Sequence, residues 1–189
     1  MKLRKPDFLK STLERYRDAL QEAMQTKATV YREKSIQKKL PMVYTMVFDK
    51  AVHHPATAFS YGVSFATTAE QPERIELCLQ TRSNAREWLH VVGYLANQLR
   101  GDCPFQLGQI IRMGQSISPD SKLDAFLVVP PIDENIPVSI SDRKKKPPIR
   151  LVELVPVYAE ETPKILRLGV KAFLKELSDR RLDPARGML

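Results

Sequence analysis

The chain has 189 residues, 43% of them hydrophobic and 28% charged, which is typical of one globular domain with a sizeable core. Its formal net charge of +8 comes from the two ends: residues 1–40 contain 11 Lys and Arg against 5 Asp and Glu, residues 41–142 contain 7 against 11, and residues 143–189 contain 12 against 6. This distribution excludes a uniformly basic domain, but it still allows a basic groove for nucleic acid if the two ends fold together.

Neither a membrane span nor a signal peptide is predicted. No apolar run approaches the roughly 18 residues of a transmembrane helix. The basic start of the chain is followed by Pro6 and Asp7 and not by the apolar core of a signal peptide. The two cysteines, Cys78 and Cys103, lack chelating spacing, which indicates reduced structural thiols. We therefore expect a cytoplasmic protein.

An apolar stripe predicts an amphipathic helix over residues 6–25, because its members recur at intervals of three and four. The stripe consists of Leu9, Leu13, Tyr16, Leu20 and Met24. A basic stretch over residues 32–39 follows and ends at Pro41. We expect residues 1–40 to form a helix and a basic connector that pack on a domain made of residues 41–189.

Three strands are predicted next, over residues 42–48, 59–66 and 74–81. In the third strand Ile75, Leu77 and Leu79 alternate with Glu76, Cys78 and Gln80. Successive side chains of a strand point to opposite faces of the sheet. The alternation therefore indicates one buried face and one more polar face.

A central helix follows the third strand. Ser83 or Asn84 can cap its N-terminus, with Glu87 at the capping-box distance from Asn84, and Gly101 stands where a left-handed C-terminal cap is expected. The apolar stripe consists of Trp88, Val91, Val92, Leu95 and Leu99.

After a short strand over residues 105–113, the nearly continuous apolar runs of residues 123–129 and 149–158 are typical of central strands that are covered on both sides. A last helix is predicted with Thr162 as its N-terminal cap and Pro163 in its first turn. Its stripe consists of Leu166, Val170, Phe173 and Leu177. Because the strands come in groups and do not alternate with helices, we predict a single α+β domain with a mixed β-sheet packed with helices.

The interval of residues 132–148 between the two central strands is strongly charged. It contains the acidic residues Asp133, Glu134 and Asp142, and then a basic run followed by two prolines. The basic run consists of Arg143, Lys144, Lys145 and Lys146. This composition predicts an exposed loop or an irregular edge segment.

Catalytic signatures are weak in this sequence. His53 and His54 are predicted in a loop and His90 on the central helix, and none belongs to a zinc-binding motif. We therefore expect no metal site. We also expect no cofactor, because the glycines form no phosphate-binding loop. Glu153 interrupts an apolar strand, so it is a candidate buried charge, either a general acid or the partner of Arg150, Arg112 or Arg82. Glu76 is a second candidate, although a polar residue on an open sheet face is its simpler interpretation.

Several landmarks occur in a fixed order along the chain. They are Glu76-Leu77 in an alternating strand, Trp88 and Leu95-Ala96 on a helix, residues 105–108, residues 123–131, and IRLVELVPVYAEE at residues 149–161. In this order and at these intervals they resemble the suppressor of fused domain, over residues 58–161. The resemblance implies an α+β fold with these core positions: Trp88, Leu95, Phe105, Gly108, Phe126, Pro130, Leu154 and Pro156.

The resemblance also implies a function. Animal members of that family add a second domain and hold a transcription-factor segment between the two domains. Bacterial members are single domains that look like immunity proteins, which bind and neutralise a cognate toxin. We therefore expect a non-enzymatic, intracellular protein-binding domain of the immunity type. The charged interval of residues 132–148, held between two strands, is where we expect the partner to bind. Its expected partner-binding residues are Asp133, Glu134, Arg143, Lys144, Lys145 and Lys146. The alternatives are a small hydrolase or transferase that uses Glu153 with a histidine, and a nucleic-acid-binding regulator that uses the basic ends.

Overall fold

A computed structural model describes residues 5–50, 55–67, 72–143 and 145–189. In chain order the helices and strands are α1 (Thr12–Ala23), β1 (Thr29–Glu33), β2 (Val43–Phe48), β3 (Ala56–Tyr61), β4 (Ile75–Thr81), α2 (Glu87–Leu99), β5 (Ile110–Arg112), β6 (Ala125–Val129), β7 (Ser139–Ile140), β8 (Ile149–Val157), α3 (Thr162–Leu168) and α4 (Val170–Leu177). Short 3-10 turns are formed by Asp7–Leu9, Val63–Phe65, Ala159–Glu161 and Ser178–Leu182.

The strands form one mixed sheet in the order β1-β2-β3-β4-β8-β6-β5, and β7 pairs with β8 beside this path. β4 and β8 are parallel, whereas the other neighbouring pairs are antiparallel. The predicted α+β class with a mixed sheet is confirmed. β6 and β8 are the two apolar runs, and both are buried along their whole length except Arg150, as predicted for central strands.

Helix α2 covers one face of the sheet. Trp88, Val92 and Leu95 of the helix pack against a cluster that includes Leu77 and Leu154. The helix lies very close to β2 at Gly93, because a Cβ atom built there would stand 2.0 Å from Oγ1 of Thr45. Glycine at this position is therefore a requirement of the packing.

The opposite face has two covers. Helix α1 and the segment around Ile136 and Ile140 pack over β2, β3, β4 and the start of β8. Helices α3 and α4 pack over β6 and the end of β8. Every residue of β4 is consequently buried. The prediction that β4 has one more polar face was therefore wrong, because a polar side chain in a strand does not reveal whether another element covers it.

The N-terminal region differs from its prediction in two ways. Helix α1 begins after Ser11, whose side chain accepts a hydrogen bond from the Glu14 N–H while the Glu14 side chain accepts one from the Ser11 N–H. Leu9 lies before the helix and is exposed, so the buried residues of the stripe are Tyr16 and Leu20. Residues 29–33, partly assigned to the connector, form β1 and pair with β2. The division of the chain at residue 40 stays a prediction.

Two further boundaries were misplaced. β3 ends at Tyr61, and the residues that follow it form a 3-10 turn. Helix α2 begins at Glu87 without a side-chain cap. Ser83 instead accepts a hydrogen bond from the Ala85 N–H and donates one to Asp120. Gly101 does adopt a positive φ of 85° at the end of α2, as predicted.

The last predicted helix is two helices, α3 and α4. The chain breaks between them at Gly169, which has a φ of 79°. Leu166 of α3 is exposed, with 76% of its surface in contact with solvent, whereas Phe173 and Leu177 of α4 are buried. Among the residues described, no helix combines the length and apolarity needed to cross a membrane.

Candidate protein-binding site

The segment of residues 132–148 is fixed to the sheet by a buried ion pair. Nη1 and Nη2 of Arg74, immediately before β4, each donate to one carboxylate oxygen of Asp142 at 2.8 Å. The hydroxyl of Tyr61 donates to the same carboxylate at 2.9 Å. Nη1 of Arg74 also donates to the carbonyl oxygen of Pro147 at 2.9 Å. One arginine therefore holds two points of the segment.

Asp142 remains charged in this setting. Burial acts to raise the pKa of Asp142, but the hydrogen bonds from Arg74 and Tyr61 outweigh it and lower the pKa below its usual value. A bidentate arginine–carboxylate pair is among the stronger polar contacts in proteins. The segment, predicted as an exposed loop or an irregular edge segment, is thus anchored from beneath at Asp142 and Pro147.

The predicted acidic pair, Asp133 and Glu134, divides between two environments. Glu134 is exposed, whereas Asp133 is half-buried and accepts hydrogen bonds from Nε2 of Gln80 and from the Asn135 N–H, both at 2.9 Å. Burial opposes ionisation of Asp133, but these bonds lower its pKa overall. Asp133 is therefore part of the internal packing, and Glu134 alone offers its charge to solvent.

The basic run is divided as well. The guanidinium of Arg143 lies over the ring of Phe65, 5.7 Å from its centroid, and its Nε is 3.7 Å from Asp142. Lys145 and Lys146 are exposed, and Lys144 lies outside the described residues. Arg143 thus packs on the domain, and Lys145 and Lys146 carry the exposed positive charge of the run.

The predicted acidic and basic groups border different cavities beside α1. Asp133 borders a surface cavity with Met24 and Thr26, which follow the helix. Arg143 and Lys146 border another cavity, which extends along α1 from Lys10 to Glu22. The predicted partner-binding residues are therefore divided between two cavities.

Glu153 lies in a group of polar side chains between the two covers of the second sheet face, which we call the polar seam: Gln80 and Glu153, which are buried, and Asp133 and Arg181, which are half-buried. Oε1 of Glu153 is 3.5 Å from Nη1 of Arg181, and Oε2 accepts a hydrogen bond from the Ile132 N–H at 2.8 Å. Burial raises the pKa of Glu153, and the opposing effects of Arg181 and Ile132 do not cancel it.

Glu153 therefore has an ionic partner, but not one of the three predicted from the sequence. Arg150 instead pairs with Glu73 at 2.7 Å, and Arg82 pairs with Asp179 at 3.7 Å. Arg181, which lies in the turn after α4, was not considered as a partner. No local pattern marks it, because its distance from Glu153 is set by the way α3 and α4 fold back on the sheet.

Glu76 is fully buried in a ring of donors. Its carboxylate accepts hydrogen bonds from the hydroxyl of Ser60 at 2.6 Å and from the N–H groups of Gly62, Val63 and Ser64 at 2.7 to 3.2 Å. Burial raises the pKa of Glu76, while these hydrogen bonds act in the opposite direction. Its interpretation as a polar residue on an open face was wrong, because α1 and the turn after β3 cover it.

The histidine that the hydrolase alternative requires is not supplied by α2. His90 packs edge-on against Tyr31, 4.6 Å between ring centroids, and α2 covers the sheet face opposite Glu153. His53 and His54 lie outside the described residues. Within the described ranges, no three His, Cys, Asp or Glu side chains form a group that could hold a metal ion.

Ion pairs neutralise part of the N-terminal basicity. Nζ of Lys5 is 2.9 Å from Glu14, and Nζ of Lys10 is 3.0 Å from Asp18. Asp18 also pairs with Arg17. Acidic side chains of α1 therefore offset part of the positive charge that would otherwise attract a phosphate backbone.

Comparison with known proteins identifies the family. Residues 43–186 match the family described as suppressor of fused protein. The chain belongs to the suppressor of fused family. No curated protein resembles it closely enough in sequence to count as a relative.

Solved structures of suppressor of fused proteins share the fold. A homolog from Neisseria gonorrhoeae has a TM-score of 0.66 at 16% identity, over 92% of this chain and 96% of the other. Drosophila Suppressor of Fused has a TM-score of 0.58 at 17% identity, over 87% of this chain and 47% of the Drosophila chain. A chain of the Sufu–Fu complex has a TM-score of 0.55 at 16% identity, over 91% of this chain and 96% of the other.

In this suppressor of fused domain, most residues that carry the sequence resemblance lie in the core. Of the eight expected core positions, those with at most 2% of their surface exposed are Trp88, Leu95, Phe105, Phe126 and Leu154. Pro156 is buried in β8, and Gly108 is half-buried with a φ of 87°. Pro130 is exposed, so its assignment to the core was wrong. It follows β6 at the end of the sheet, where it lines a surface groove.

Proposed function

We propose that this chain is a protein-binding domain that acts as an immunity protein and neutralises a cognate toxin in the cytoplasm. The observation that carries the proposal is the anchoring of residues 132–148 by the Arg74–Asp142 pair, which leaves charged side chains exposed on a rigid support. Segments of this kind are favoured places for recognition. The binding surface that we propose comprises Glu134, Lys145 and Lys146, with Lys144 beside them in the sequence.

The relatives support protein binding as the class of function. One structural neighbour is described as a complex of Sufu with the protein Fu. Neutralisation of a toxin would follow from covering its active site. Charge complementarity between Lys145, Lys146 and an acidic toxin surface would accelerate the encounter and select the partner.

We further propose that the domain acts without catalysis. Two of the buried carboxylates, the candidates singled out from the sequence, are held by structural contacts: Glu76 accepts four hydrogen bonds, and Glu153 is paired with Arg181. A general acid or base must reach the proton that it transfers. Both carboxylates are turned into the domain, with at most 2% of either residue exposed.

Co-expression tests the immunity function directly. The product of the neighbouring gene is expressed in a bacterial host with and without this chain, and growth and complex formation on a sizing column are measured. We expect the neighbouring product to arrest growth alone and to form a complex with this chain that restores growth. A neighbouring product that is harmless, or whose toxicity this chain leaves unchanged, would contradict the proposal.

A further inference from the structure

An apolar groove of 480 Å³ opens at the end of the sheet where β6 stops and β8 starts. Two diproline segments line it, Pro130–Pro131 after β6 and Pro147–Pro148 before β8. Val138 and Leu107, also in its lining, have 67% and 45% of their surface exposed. Contiguous apolar surface of this kind on a soluble domain commonly marks an interaction site.

The groove is rigid before any ligand arrives. Proline fixes its own φ angle, so the four prolines restrict the backbone on two sides. Arg74 holds the carbonyl oxygen of Pro147, and the Leu151 N–H donates to the carbonyl oxygen of Val138 at 3.0 Å. A preformed site loses little conformational entropy on binding.

The chemistry of the lining selects an apolar group for its interior. Proline has no N–H donor, and the prominent charged groups of the rim, Glu73 and Arg150, are paired with each other at 2.7 Å. A ligand therefore gains contact with the groove mainly by burying apolar surface, as in pockets that hold one anchoring side chain of a partner.

Two basic residues adjoin the groove in the chain. Lys145 and Lys146 lie outside its lining, but they are exposed and directly precede Pro147. The negative charge of the one acidic residue in the lining, Glu73, is balanced by Arg150. A segment that enters the groove is thus favoured by negative charge on the residues that flank its apolar side chain.

We propose that this proline groove binds an extended peptide segment of a partner protein, which inserts one aromatic or long aliphatic side chain between the diproline segments and places flanking acidic residues near Lys145 and Lys146. The inference deepens the protein-binding function proposed above and rests on it. It specifies the chemistry of the partner's anchor.

Selection from a library of random peptides displayed on phage, with the immobilised full chain as bait, tests the groove without a known partner. We expect enriched peptides to share an apolar residue flanked by Asp or Glu. Val138→Asp should weaken their binding at least about tenfold, since it places a charge in the apolar lining. The matched control is Leu166→Asp, at an apolar residue of similar exposure on α3, which should leave binding unchanged.

A second variant and its matched control test the role of the flanking charges. Lys145→Glu with Lys146→Glu should weaken the enriched peptides several-fold, more at low salt than at high salt, while Lys171→Glu with Lys175→Glu on α4 should not. Melting curves of all variants verify folding, which is expected because the substituted residues are exposed.

Three results would contradict peptide binding in the groove: no enriched peptide, enriched peptides without the apolar and acidic pattern, or peptides that bind the Val138→Asp variant as tightly as the wild type. If the peptide selection gives one of these results while the wild-type chain still neutralises its toxin, only the inference about the groove is refuted. A chain that neutralises no toxin refutes the immunity function, whatever the peptides show.

Discussion

Glu76 and Arg100 are oppositely charged residues with no exposed surface, and the peptide groups of Gly62 connect them where no direct ion pair does. The Gly62 N–H donates to Oε1 of Glu76 at 2.7 Å, and the Gly62 carbonyl oxygen accepts from Nη1 of Arg100 at 3.1 Å. Burial lowers the pKa of Arg100, and the charge of Glu76 partly offsets this effect. The turn after β3 thus stabilises two buried charges at once.

Glu76→Gln and Arg100→Met should not be additive. Each variant should lose about 2–4 kcal/mol of unfolding free energy, because buried hydrogen-bonding groups lose their charged partner. The double variant should reveal a coupling energy of about 1 kcal/mol, although the two side chains do not touch. Urea unfolding of the wild type, the two single variants and the double variant measures this double-mutant cycle. Losses of unfolding free energy that add within about 0.3 kcal/mol would show that Gly62 does not couple Glu76 to Arg100.

Asp142→Asn should destabilise the fold by about 3–5 kcal/mol at neutral pH, because Arg74 would remain buried without its anionic partner. The folded pKa of Asp142 is lowered, so its contribution is present above the unfolded pKa and is lost as the pH falls through the folded value. The stability gap between wild type and variant should therefore be constant from pH 7 to pH 5 and shrink below about pH 4.

Unfolding by urea at several pH values measures that gap. Glu134→Gln, which removes an exposed carboxylate from the same segment, is the control and should change stability by less than about 0.5 kcal/mol. A gap for Asp142→Asn that does not depend on pH would contradict the ion-pair explanation.

Trp88→Ala should cost about 3–5 kcal/mol of stability, because its ring is fully buried between α2 and the sheet. Trp88→Phe keeps an aromatic ring in place but removes the hydrogen bond from Nε1 to Asp120 at 3.2 Å, so we expect a smaller loss of about 1–2 kcal/mol. Thermal melting compares the two, and equal losses would mean that the hydrogen bond, and not the packing, dominates.

Deletion of residues 1–25 should cause aggregation or a large loss of stability. Tyr16 and Leu20 of α1 are fully buried against a cluster that contains Phe48, Phe59 and Tyr61, so removal of the helix exposes these aromatic side chains. Light scattering and melting of the truncated chain provide the measurement. A soluble, monomeric product with unchanged stability would mean that α1 is a detachable arm.

Lys145→Ser with Lys146→Ser should leave the melting temperature nearly unchanged and slow association with the proposed protein partner, most strongly at low ionic strength. Both lysines are exposed, so they contribute to the encounter more than to the fold. The comparison is Lys171→Ser with Lys175→Ser on α4. Association rates that change neither with the Lys145 and Lys146 substitutions nor with salt would contradict electrostatic steering by these lysines.

Local patterns in the sequence were enough to predict the α+β class and most of the elements. Periodicity is a local property, so the stripe of α2 around Trp88 and the continuous apolar runs of β6 and β8 could be assigned from neighbours in the chain. Gly101 was equally predictable, because a helix end with a positive φ favours glycine whatever surrounds it.

Tertiary packing determines which strand faces are covered and which charged side chains meet. Glu76 looks like a surface residue in the sequence, and it is buried because α1 returns over β4. Arg181 reaches Glu153 across 28 residues, and Arg74 reaches Asp142 across 68. Such pairs form only when elements that are distant in the chain pack against each other. The anchored segment and the groove beside it therefore could not be predicted from any local pattern.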